Sequence, residues 1–267
     1  MRTIRELFDL HGRIAIVTGG AGYIGSAICE SLAELGAEVA VVDVDLARAT
    51  SVSQKVCAEN SVRSISLKVD LEDENEVREL PERVADRLGG IDIIVNCAAL
   101  VGTSGLAGWA VPLRDQETSS WRRAIEVNLT APFVLAQASA QILSSRGRGS
   151  IINVLSIYGL VGPDERLYDG TSLGNPAAYG ASKAGLLQLT RHLATTLAPN
   201  VRSNAITPGG VERGQPSEFR DRYVSRTPLG RMATEEDFKG AAAFLASDAS
   251  AYVTGQNIVV DGGWTAW

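Results

Sequence analysis

The chain has 267 residues, of which 45% are hydrophobic and 21% are charged, and its formal net charge is −6. This mixture is typical of a globular protein that buries a core without help from disulfides or metal ions. The acidic balance and the scattered basic residues argue against a nucleic-acid-binding surface, and no apolar run is long enough to span a membrane.

The segment at the start of the chain, "MRTIRELFDLHGR", is charged throughout and lacks the apolar core of a secretory signal. We therefore expect a cytoplasmic protein. The three cysteines, Cys29, Cys57 and Cys97, are far apart and form no CxxC pair. Neither a zinc site nor a disulfide framework is predicted, and no metal is expected.

Beyond this segment, short β-branched runs alternate with longer helical patterns. The predicted strands cover 13–18, 38–43, 64–69, 91–96, 150–155, 201–206 and 257–260. The predicted helices cover 24–35, 45–59, 73–88, 118–144, 177–197 and 234–247. Such alternation produces right-handed crossovers and a parallel sheet. The sequence therefore predicts one doubly wound α/β domain of the Rossmann type over residues 1–267, with about seven strands flanked by helices.

Three segments have no regular pattern, namely 100–117, 157–178 and 209–230. Each follows the carboxyl end of a predicted strand, where open α/β sheets bind their ligands. Long irregular segments inside a compact fold are commonly functional. We therefore expect these three segments to surround the ligand site.

The stretch "VTGGAGYIGS" (17–26) joins the first predicted strand to a helix and carries glycines at 19, 20, 22 and 25. Glycines permit a tight turn and bring phosphate close to backbone N–H groups, and the helix N-terminus adds positive potential. The strand, the helix and an acidic residue downstream together predict a dinucleotide site.

Asp43 ends the second predicted strand, where a carboxylate can accept hydrogen bonds from the adenosine ribose and would repel a 2′-phosphate. No basic residue follows before Arg48. This pattern favours NAD over NADP, although Asp43 or Asp45 can instead cap the next helix. Asp70 and Leu71, after the third strand, are candidates for the adenine contact, or Asp70 simply begins the following helix.

Tyr179 and Lys183 in "AAYGASKAG" share one face of a predicted helix. An ammonium near a phenol favours the phenolate and lowers the pKa of the tyrosine, which can then exchange a proton with a substrate oxygen near neutral pH. A surface pair without a chemical role has the same spacing. Here the pair follows Ser156 in "NVLSIYG" and Asn128 in "VNLTAPF".

Over residues 13–263 the chain resembles the compact type of the short-chain dehydrogenase/reductase family. The resemblance rests on the glycine turn and on "NCAA", "VNLTAPF", "VLSIYG", "YGASK", "NAITPGGV" and "TGQNIVVDGG". It implies that Tyr179 is the general acid/base and that Lys183 lowers its pKa and binds the nicotinamide ribose. Ser156 would hold the substrate oxygen, and Asn128 would fix a water molecule in a proton relay.

The resemblance also places the backbone from Asn96 to Ala98 along the adenosine and the loop from Pro208 to Val211 against the nicotinamide. Hydride would pass directly between the nicotinamide and a substrate carbon. The expected cofactor contacts are Gly19, Gly22, Tyr23, Ile24, Gly25, Asp43, Asp70, Leu71, Asn96, Ala98, Tyr179, Lys183, Pro208, Gly209 and Val211.

Three features depart from the compact members of the family. The glycine spacing is G-x-x-G-x-x-G, as in the extended, epimerase-type members; "NCAA" replaces "NNAG"; and "PGGVER" lacks a threonine shortly after the proline–glycine pair. The length of 267 residues and the ending "VVDGGWTAW" are like those of compact members. An unusual cradle on a compact reductase is therefore the preferred interpretation.

The segment between Ser156 and Tyr179 is longer than in the family pattern and rich in polar groups. Such a lining suits a sugar, a sugar acid or a polyol, because each hydroxyl needs a partner, unless the segment is a surface loop. The apolar stretch 105–113 leaves a hydroxysteroid or acyl-chain substrate open. The resemblance implies that the segment 212–231 forms a mobile lid. One of its arginines can bind a carboxylate or phosphate, or the arginines face solvent or pair with Glu218 and Asp221. The candidates are Arg213, Arg220, Arg222, Arg226 and Arg231.

The sequence thus predicts an NAD-dependent dehydrogenase or carbonyl reductase that acts on a small secondary alcohol or ketone. The glycine spacing leaves open an epimerase or dehydratase that recycles NAD, and a regulator that binds NAD(H) without turnover is a second alternative. The family resemblance and the tail tryptophans, Trp264 and Trp267, predict a homo-oligomer, either a tetramer or a dimer, unless the tail packs on its own subunit.

Overall fold

Seven parallel strands form one sheet at the centre of the molecule, for which a computed structural model describes residues 1–171 and 173–267. The strands are β1 (Ile14–Thr18), β2 (Glu38–Asp43), β3 (Ser64–Lys68), β4 (Ile93–Asn96), β5 (Gly149–Val154), β6 (Val201–Pro208) and β7 (Asn257–Val260). Their order across the sheet is β3-β2-β1-β4-β5-β6-β7. The chain therefore builds outward from β1 to one edge, returns to the middle at β4 and continues to the other edge.

Helices cover both faces of this sheet. They are α1 (Ile4–Phe8), α2 (Tyr23–Glu34), α3 (Leu46–Asn60), α4 (Glu74–Leu88), α5 (Thr118–Ile125), α6 (Ala131–Arg146), α7 (Ala177–Thr196), α8 (Ser217–Ser225) and α9 (Lys239–Ala246). Ala15 and Val17 of β1 pack with residues of α2 and α9, whereas Ile14 and Ile16 pack with residues of α4 and α6. Successive side chains of a strand point to opposite faces, so a strand covered on both faces is apolar throughout. The predicted doubly wound α/β fold is confirmed.

Three helical elements differ from the prediction. A π-helical segment, Glu126–Thr130, divides the predicted helix 118–144 into α5 and α6. The helices α1 and α8 lie where no helix was predicted. α1 has only five residues, too few to show a helical period, and it begins with a reciprocal cap between Thr3 and Glu6. In α8, charged residues surround the few apolar ones and hide the pattern.

The amino ends of the central strands are tied together by Asp92, which is fully buried. Its carboxylate accepts hydrogen bonds from Ile14 N at 3.0 Å, from Arg146 Nε at 2.8 Å and from Arg148 Nε at 3.0 Å. A buried carboxylate is tolerated when charged donors satisfy it in this way. This charged network therefore lies at the end of the sheet opposite to the carboxyl ends of the strands.

Candidate active site

The carboxyl ends of the central strands open onto one cleft of about 1030 Å³. A cleft of this size has room for a dinucleotide beside a small substrate, since ordinary ligand pockets hold roughly 300–1,000 Å³. All three irregular segments contribute residues to its wall. The three segments therefore line this cleft, and their contact with a ligand stays a prediction.

The glycine turn forms the part of the cleft that follows β1. Gly19 has a φ of +64°, and a Cβ there would lie 2.7 Å from Ala98 Cα. A Cβ on Gly25 would lie 2.1 Å from the carbonyl oxygen of Gly19. Gly22 precedes α2 without any side-chain cap, so the N-terminus of that helix is left for another hydrogen-bond acceptor. This cradle fits the pyrophosphate of a dinucleotide.

All but one of the residues predicted to contact the cofactor line the cleft. They are Gly19, Gly22, Tyr23, Ile24, Gly25, Asp43, Asp70, Leu71, Ala98, Tyr179, Lys183, Pro208, Gly209 and Val211. The exception is Asn96, a buried residue whose Nδ2 donates to Asn153 Oδ1 at 2.8 Å. Asn96 therefore connects β4 to β5 beneath the cleft, and Cys97 and Ala98 form the wall above it.

Asp43 contacts the cradle as well as the cleft. Its Oδ2 accepts from Ala21 N at 3.1 Å, and its Oδ1 accepts from Asp45 N at 3.1 Å. Asp45, not Asp43, caps α3, because its Oδ1 accepts from the N–H of Arg48. The Arg48 guanidinium turns back and donates to Ala21 O at 2.8 Å, so it also lines the cleft. Sequence spacing alone does not predict this contact, because the direction of the Arg48 side chain depends on where α3 begins.

Ser156, Tyr179 and Lys183 meet in the middle of the cleft. Ser156 follows β5, and its Oγ accepts from Tyr158 N at 3.2 Å. Lys183, whose residue is 1% exposed, donates from Nζ to Val154 O at 2.7 Å. The same Nζ lies 6.0 Å from the centroid of the Tyr179 ring. Three of the four predicted catalytic residues are thus brought together.

Burial shifts the pKa values of both Lys183 and Tyr179. Desolvation lowers the pKa of Lys183 to about 8. Desolvation also raises the pKa of Tyr179, and a hydrogen bond with Ser156 only partly opposes the rise. The lowering of the Tyr179 pKa by Lys183, which the family resemblance implies, stays a prediction.

The buried lysine has a consequence for stability. Between about pH 8 and about pH 10, folded Lys183 has lost its proton and the unfolded lysine keeps it, so stability rises with pH. We expect wild type to gain on the order of 1 kcal/mol relative to Lys183→Met over this range. Urea unfolding of both proteins at the two pH values measures the difference. Parallel pH dependence of the two proteins would contradict a lowered pKa.

Asn128 lies behind the cleft and does not line it. Its Oδ1 accepts from Leu100 N at 2.7 Å, and its Nδ2 donates to Leu100 O and to Ser182 Oγ, each at 3.1 Å. Ser182 Oγ in turn donates to Tyr179 O at 2.8 Å. The Asn128 side chain therefore links the segment after β4 to the turn of α7 that carries Tyr179. The predicted relay through a water molecule at Asn128 stays a prediction.

The segments 157–178 and 209–230 pack against each other and against the tail of the chain. We call this group the lid cluster; its buried members are Ile157, Leu167, Phe219, Tyr223, Met232 and Trp264. The Tyr223 and Trp264 rings stack with centroids 5.8 Å apart. Trp264 therefore packs on its own subunit, whereas Trp267 is exposed.

All five lid arginines contact other groups of the chain, although only Arg220 contacts one of the two acidic residues named above. Arg220 pairs with Asp221, Arg226 with Asp164 and Arg231 with Asp237. Arg222 donates to the carbonyl oxygens of Leu167 and Asp169. Arg213 alone of the five lines the cleft. Its guanidinium lies 3.9 Å from the centroid of the Tyr23 ring and forms an ion pair with Glu235. Because Tyr23 is the first residue of α2, Arg213 lies at the mouth of the cradle.

Membrane-spanning helices and metal-binding clusters are both absent from the part of the chain that the structure describes. No helix there is long and apolar enough to cross a membrane. Within the same residues, no group of three or more His, Cys, Asp and Glu side chains is arranged to hold a metal ion.

Comparisons with known proteins agree with this geometry. A family model described as enoyl-(acyl carrier protein) reductase matches residues 19–265. The chain is 37% identical over 264 residues to cis-4-hydroxycyclohexanecarboxylate dehydrogenase of Sinomonas cyclohexanicum, an alignment that covers 95% of this chain and 97% of the relative.

Solved structures have the same fold over their whole length. A short-chain type dehydrogenase/reductase from Mycobacterium marinum superimposes with a TM-score of 0.87 at 30% identity and covers 100% of both chains. A gluconate 5-dehydrogenase from Burkholderia cenocepacia, in complex with NADP and tartrate, gives a TM-score of 0.88 at 30% identity, with 99% and 100% of the two chains covered. The family model and these relatives span the cradle, the Tyr179 helix and the tail. The chain therefore belongs to the short-chain dehydrogenase/reductase family of oxidoreductases, as its motifs predicted.

Proposed function

We propose that residues 1–267 act as one catalytic domain, an NAD-dependent dehydrogenase or carbonyl reductase for a secondary alcohol or its ketone. The observation that supports this most is the position of Tyr179 beside Ser156 and Lys183, in a cleft that also contains the glycine cradle. Neighbouring Tyr and Ser hydroxyls suit proton exchange with a carbonyl or alcohol oxygen, which binding alone does not need.

A bound nicotinamide would accept hydride from the alcohol carbon or deliver it to the ketone carbon. In the proposed reaction, the Ser156 hydroxyl donates a hydrogen bond to the substrate oxygen, and the Tyr179 hydroxyl exchanges a proton with the same oxygen. The Lys183 ammonium, held by Val154 O, provides positive charge near the phenol as the phenolate forms. Asn128 acts from behind the cleft, where it holds Ser182 and through it the turn of Tyr179.

For the substrate we propose a sugar, a sugar acid or a polyol. Two of the relatives described above act, by their names, on a hydroxycyclohexanecarboxylate and on gluconate, and both compounds are hydroxylated acids.

The test mixes the protein with NAD or NADP and a panel of sugars, sugar acids, polyols and simple secondary alcohols, and follows NADH absorbance. Reduction of NAD with one substrate group supports the proposal. A changed sugar without net NADH would instead favour the epimerase or dehydratase, to which the glycine spacing pointed.

The preference for NAD rests in this proposal on the carboxylate of Asp43. Asp43→Asn keeps one oxygen, which can accept from only one of the N–H groups of Ala21 and Asp45, and it removes the charge that would repel a 2′-phosphate. We expect the ratio of kcat/KM for NAD to that for NADP to fall roughly tenfold or more, because about 1.4 kcal/mol corresponds to a factor of ten. Steady-state kinetics with both cofactors measures the ratio.

The matched control is Asp45→Asn, an identical change at an exposed residue that does not line the cleft. It should leave the ratio unchanged. A wild type that prefers NADP would contradict the proposal and would point to Arg48 as the partner of the 2′-phosphate, since its guanidinium lies beside Ala21.

Arg213, in the segment "PGGVER" that lacks the threonine of the family pattern, is proposed to bind the cofactor pyrophosphate. Its guanidinium stacks on Tyr23 at the N-terminus of α2, where phosphate would lie. Arg213→Gln should raise the Kd for NADH roughly tenfold and weaken its salt dependence, because one charge-assisted contact is lost. NADH fluorescence titrations at two salt concentrations test this. Arg220→Gln, at an exposed arginine outside the cleft, is the control, and an equal effect of both changes would contradict a specific contact.

The cellular setting belongs to the same proposal. We propose a cytoplasmic enzyme that binds only a cofactor and a small substrate and assembles as a homotetramer or a homodimer. The exposed Trp267 at the end of the tail supports a subunit contact, because aromatic side chains are enriched in interfaces. Light scattering after gel filtration gives the number of subunits, and a monomer at micromolar concentration would contradict the assembly.

A further inference from the structure

Three polar side chains of the segment 157–178 meet on the wall of the cleft. The hydroxyl oxygens of Tyr158 and Tyr168 are 2.7 Å apart. Asn175 Nδ2 donates to the Tyr168 hydroxyl at 3.4 Å. All three residues are half-buried and line the same cleft as Ser156 and Tyr179. None of the three has a part in the proton exchange described above.

One phenol proton and the Asn175 side-chain oxygen take no part in the hydrogen bonds of this group. The two phenols carry two protons, but only one of them lies between the two oxygens, whichever phenol donates. The other proton has no acceptor among the described residues, and neither does Asn175 Oδ1 have a donor there. An alcohol hydroxyl both accepts and donates one hydrogen bond, so it matches this pair of groups.

Close packing fixes the group relative to the catalytic helix. A Cβ on Gly180 would lie 2.9 Å from Tyr158 O, so the Tyr158 backbone presses directly on α7 next to Tyr179. The Tyr168 ring packs on Phe219 with centroids 5.5 Å apart, and the Tyr158 ring meets Trp264 edge to face at 6.5 Å. A specificity site needs this kind of support, because loosely held groups discriminate poorly.

The charges near the group point to a neutral ligand. Of the described residues that line the cleft, the charged ones are Asp43, Arg48, Asp70, Glu72, Arg123, Lys183 and Arg213. Neither Tyr158, Tyr168 nor Asn175 forms a hydrogen bond with any of them. The three side chains themselves are neutral, so they offer a hydroxyl both of its partners and offer a carboxylate no charged partner of their own.

We propose that Tyr158, Tyr168 and Asn175 form a specificity subsite that binds a second, non-reacting hydroxyl of a ring-shaped alcohol. The subsite rests on the proposed function, since it orients an alcohol whose other hydroxyl is oxidised at Tyr179. Aromatic rings behind the hydroxyls suit the C–H face of a saturated ring. The subsite favours neutral sugars and cyclic polyols over acids within the proposed substrate class.

The test compares cyclohexanol, the isomeric cyclohexanediols and 4-hydroxycyclohexanecarboxylate as substrates with NAD. We expect at least one diol to have a kcat/KM roughly tenfold or more above those of cyclohexanol and of the acid, because a site built around a hydroxyl rejects ligands that lack it. Either phenol can supply the free proton, so both are removed together in Tyr158→Phe/Tyr168→Phe. This double variant and Asn175→Leu should each abolish most of the diol advantage and leave cyclohexanol turnover within about threefold of wild type.

Tyr252→Phe, at a fully exposed tyrosine, is the matched control and should retain the diol advantage. A wild type that treats diols and cyclohexanol alike overturns the subsite and leaves the proposed function standing. Equal losses for all alcohols in both variants also overturn it, because they indicate a structural role. Turnover of sugars or polyols without turnover of any cyclohexanediol overturns the subsite alone. If NADH binds but neither these compounds nor the sugars, sugar acids, polyols and secondary alcohols of the first panel react, the proposed function fails, and the subsite fails with it. Asn175→Leu keeps the test decisive if the double variant does not fold.

Discussion

Replacing Tyr179 by phenylalanine is expected to lower kcat by roughly 10²- to 10⁴-fold, which is the usual contribution of a general acid or base. The ring keeps its place on α7, and only the hydroxyl that exchanges the proton is lost. NADH should still bind, with a Kd within about tenfold of wild type, because one neutral hydrogen bond contributes little to affinity. Stopped-flow or steady-state assays and NADH fluorescence titrations measure the two effects separately.

The separation of the two effects decides between the proposed enzyme and a cofactor-binding regulator. Tyr252→Phe makes the same chemical change on the surface and should alter neither kcat nor Kd. Unchanged turnover in Tyr179→Phe would contradict the proposed mechanism. Loss of NADH binding in the same variant would show that Tyr179 acts mainly through the cofactor.

Gly25→Ala is expected to remove cofactor binding more completely than any side-chain change in the cradle. The new Cβ would lie 2.1 Å from Gly19 O, a contact that no rotamer can relieve. Either α2 or the turn before it must move, and the N–H groups at the start of α2 move with it. We expect the Kd for NADH to rise more than about tenfold and the free energy of unfolding to fall by about 1–3 kcal/mol. Fluorescence titration and urea unfolding provide both numbers.

Gly240→Ala is the matched control for this change. Gly240 also lies in a helix, α9, but a Cβ there would meet nothing within 4 Å. The control should bind NADH normally and unfold at equal or higher urea concentration, because alanine favours a helix over glycine by up to about 1 kcal/mol. If Gly25→Ala bound NADH and unfolded like this control, the result would contradict the close approach of α2 to the Gly19 carbonyl oxygen.

The seven strands, most of the helices between them, the cradle and the Tyr179–Lys183 pair could be predicted from short stretches of sequence. Each is a local pattern: an apolar run, a group of glycines, or two residues one helical turn apart. The position of Ser156 also follows, because the carboxyl ends of parallel strands meet at one edge of the sheet. Here the local pattern and the topology point to the same site.

Other features depend on tertiary contacts and could not be predicted. The resemblance places the backbone of Asn96 along the adenosine, but it does not reveal that the side-chain amide of Asn96 donates to Asn153 beneath the cleft. The raised pKa of Tyr179 reflects burial, which a spacing of four residues does not reveal. Likewise, nothing in the segment 157–178 indicates that Tyr158 and Tyr168 meet, because their contact depends on how that segment folds onto the lid cluster.

The lid cluster also bears on how relatives of this protein can change their substrates. Its members come from three separate parts of the chain: the segment 157–178, the region of α8 and Met232, and the tail with Trp264. Interior side chains are close-packed, so a new residue in one part strains the other two. Recombination that exchanges only one of these parts should therefore yield unstable hybrids. We expect a new substrate specificity to be stable when the three parts of the lid cluster are exchanged together and the central sheet is kept.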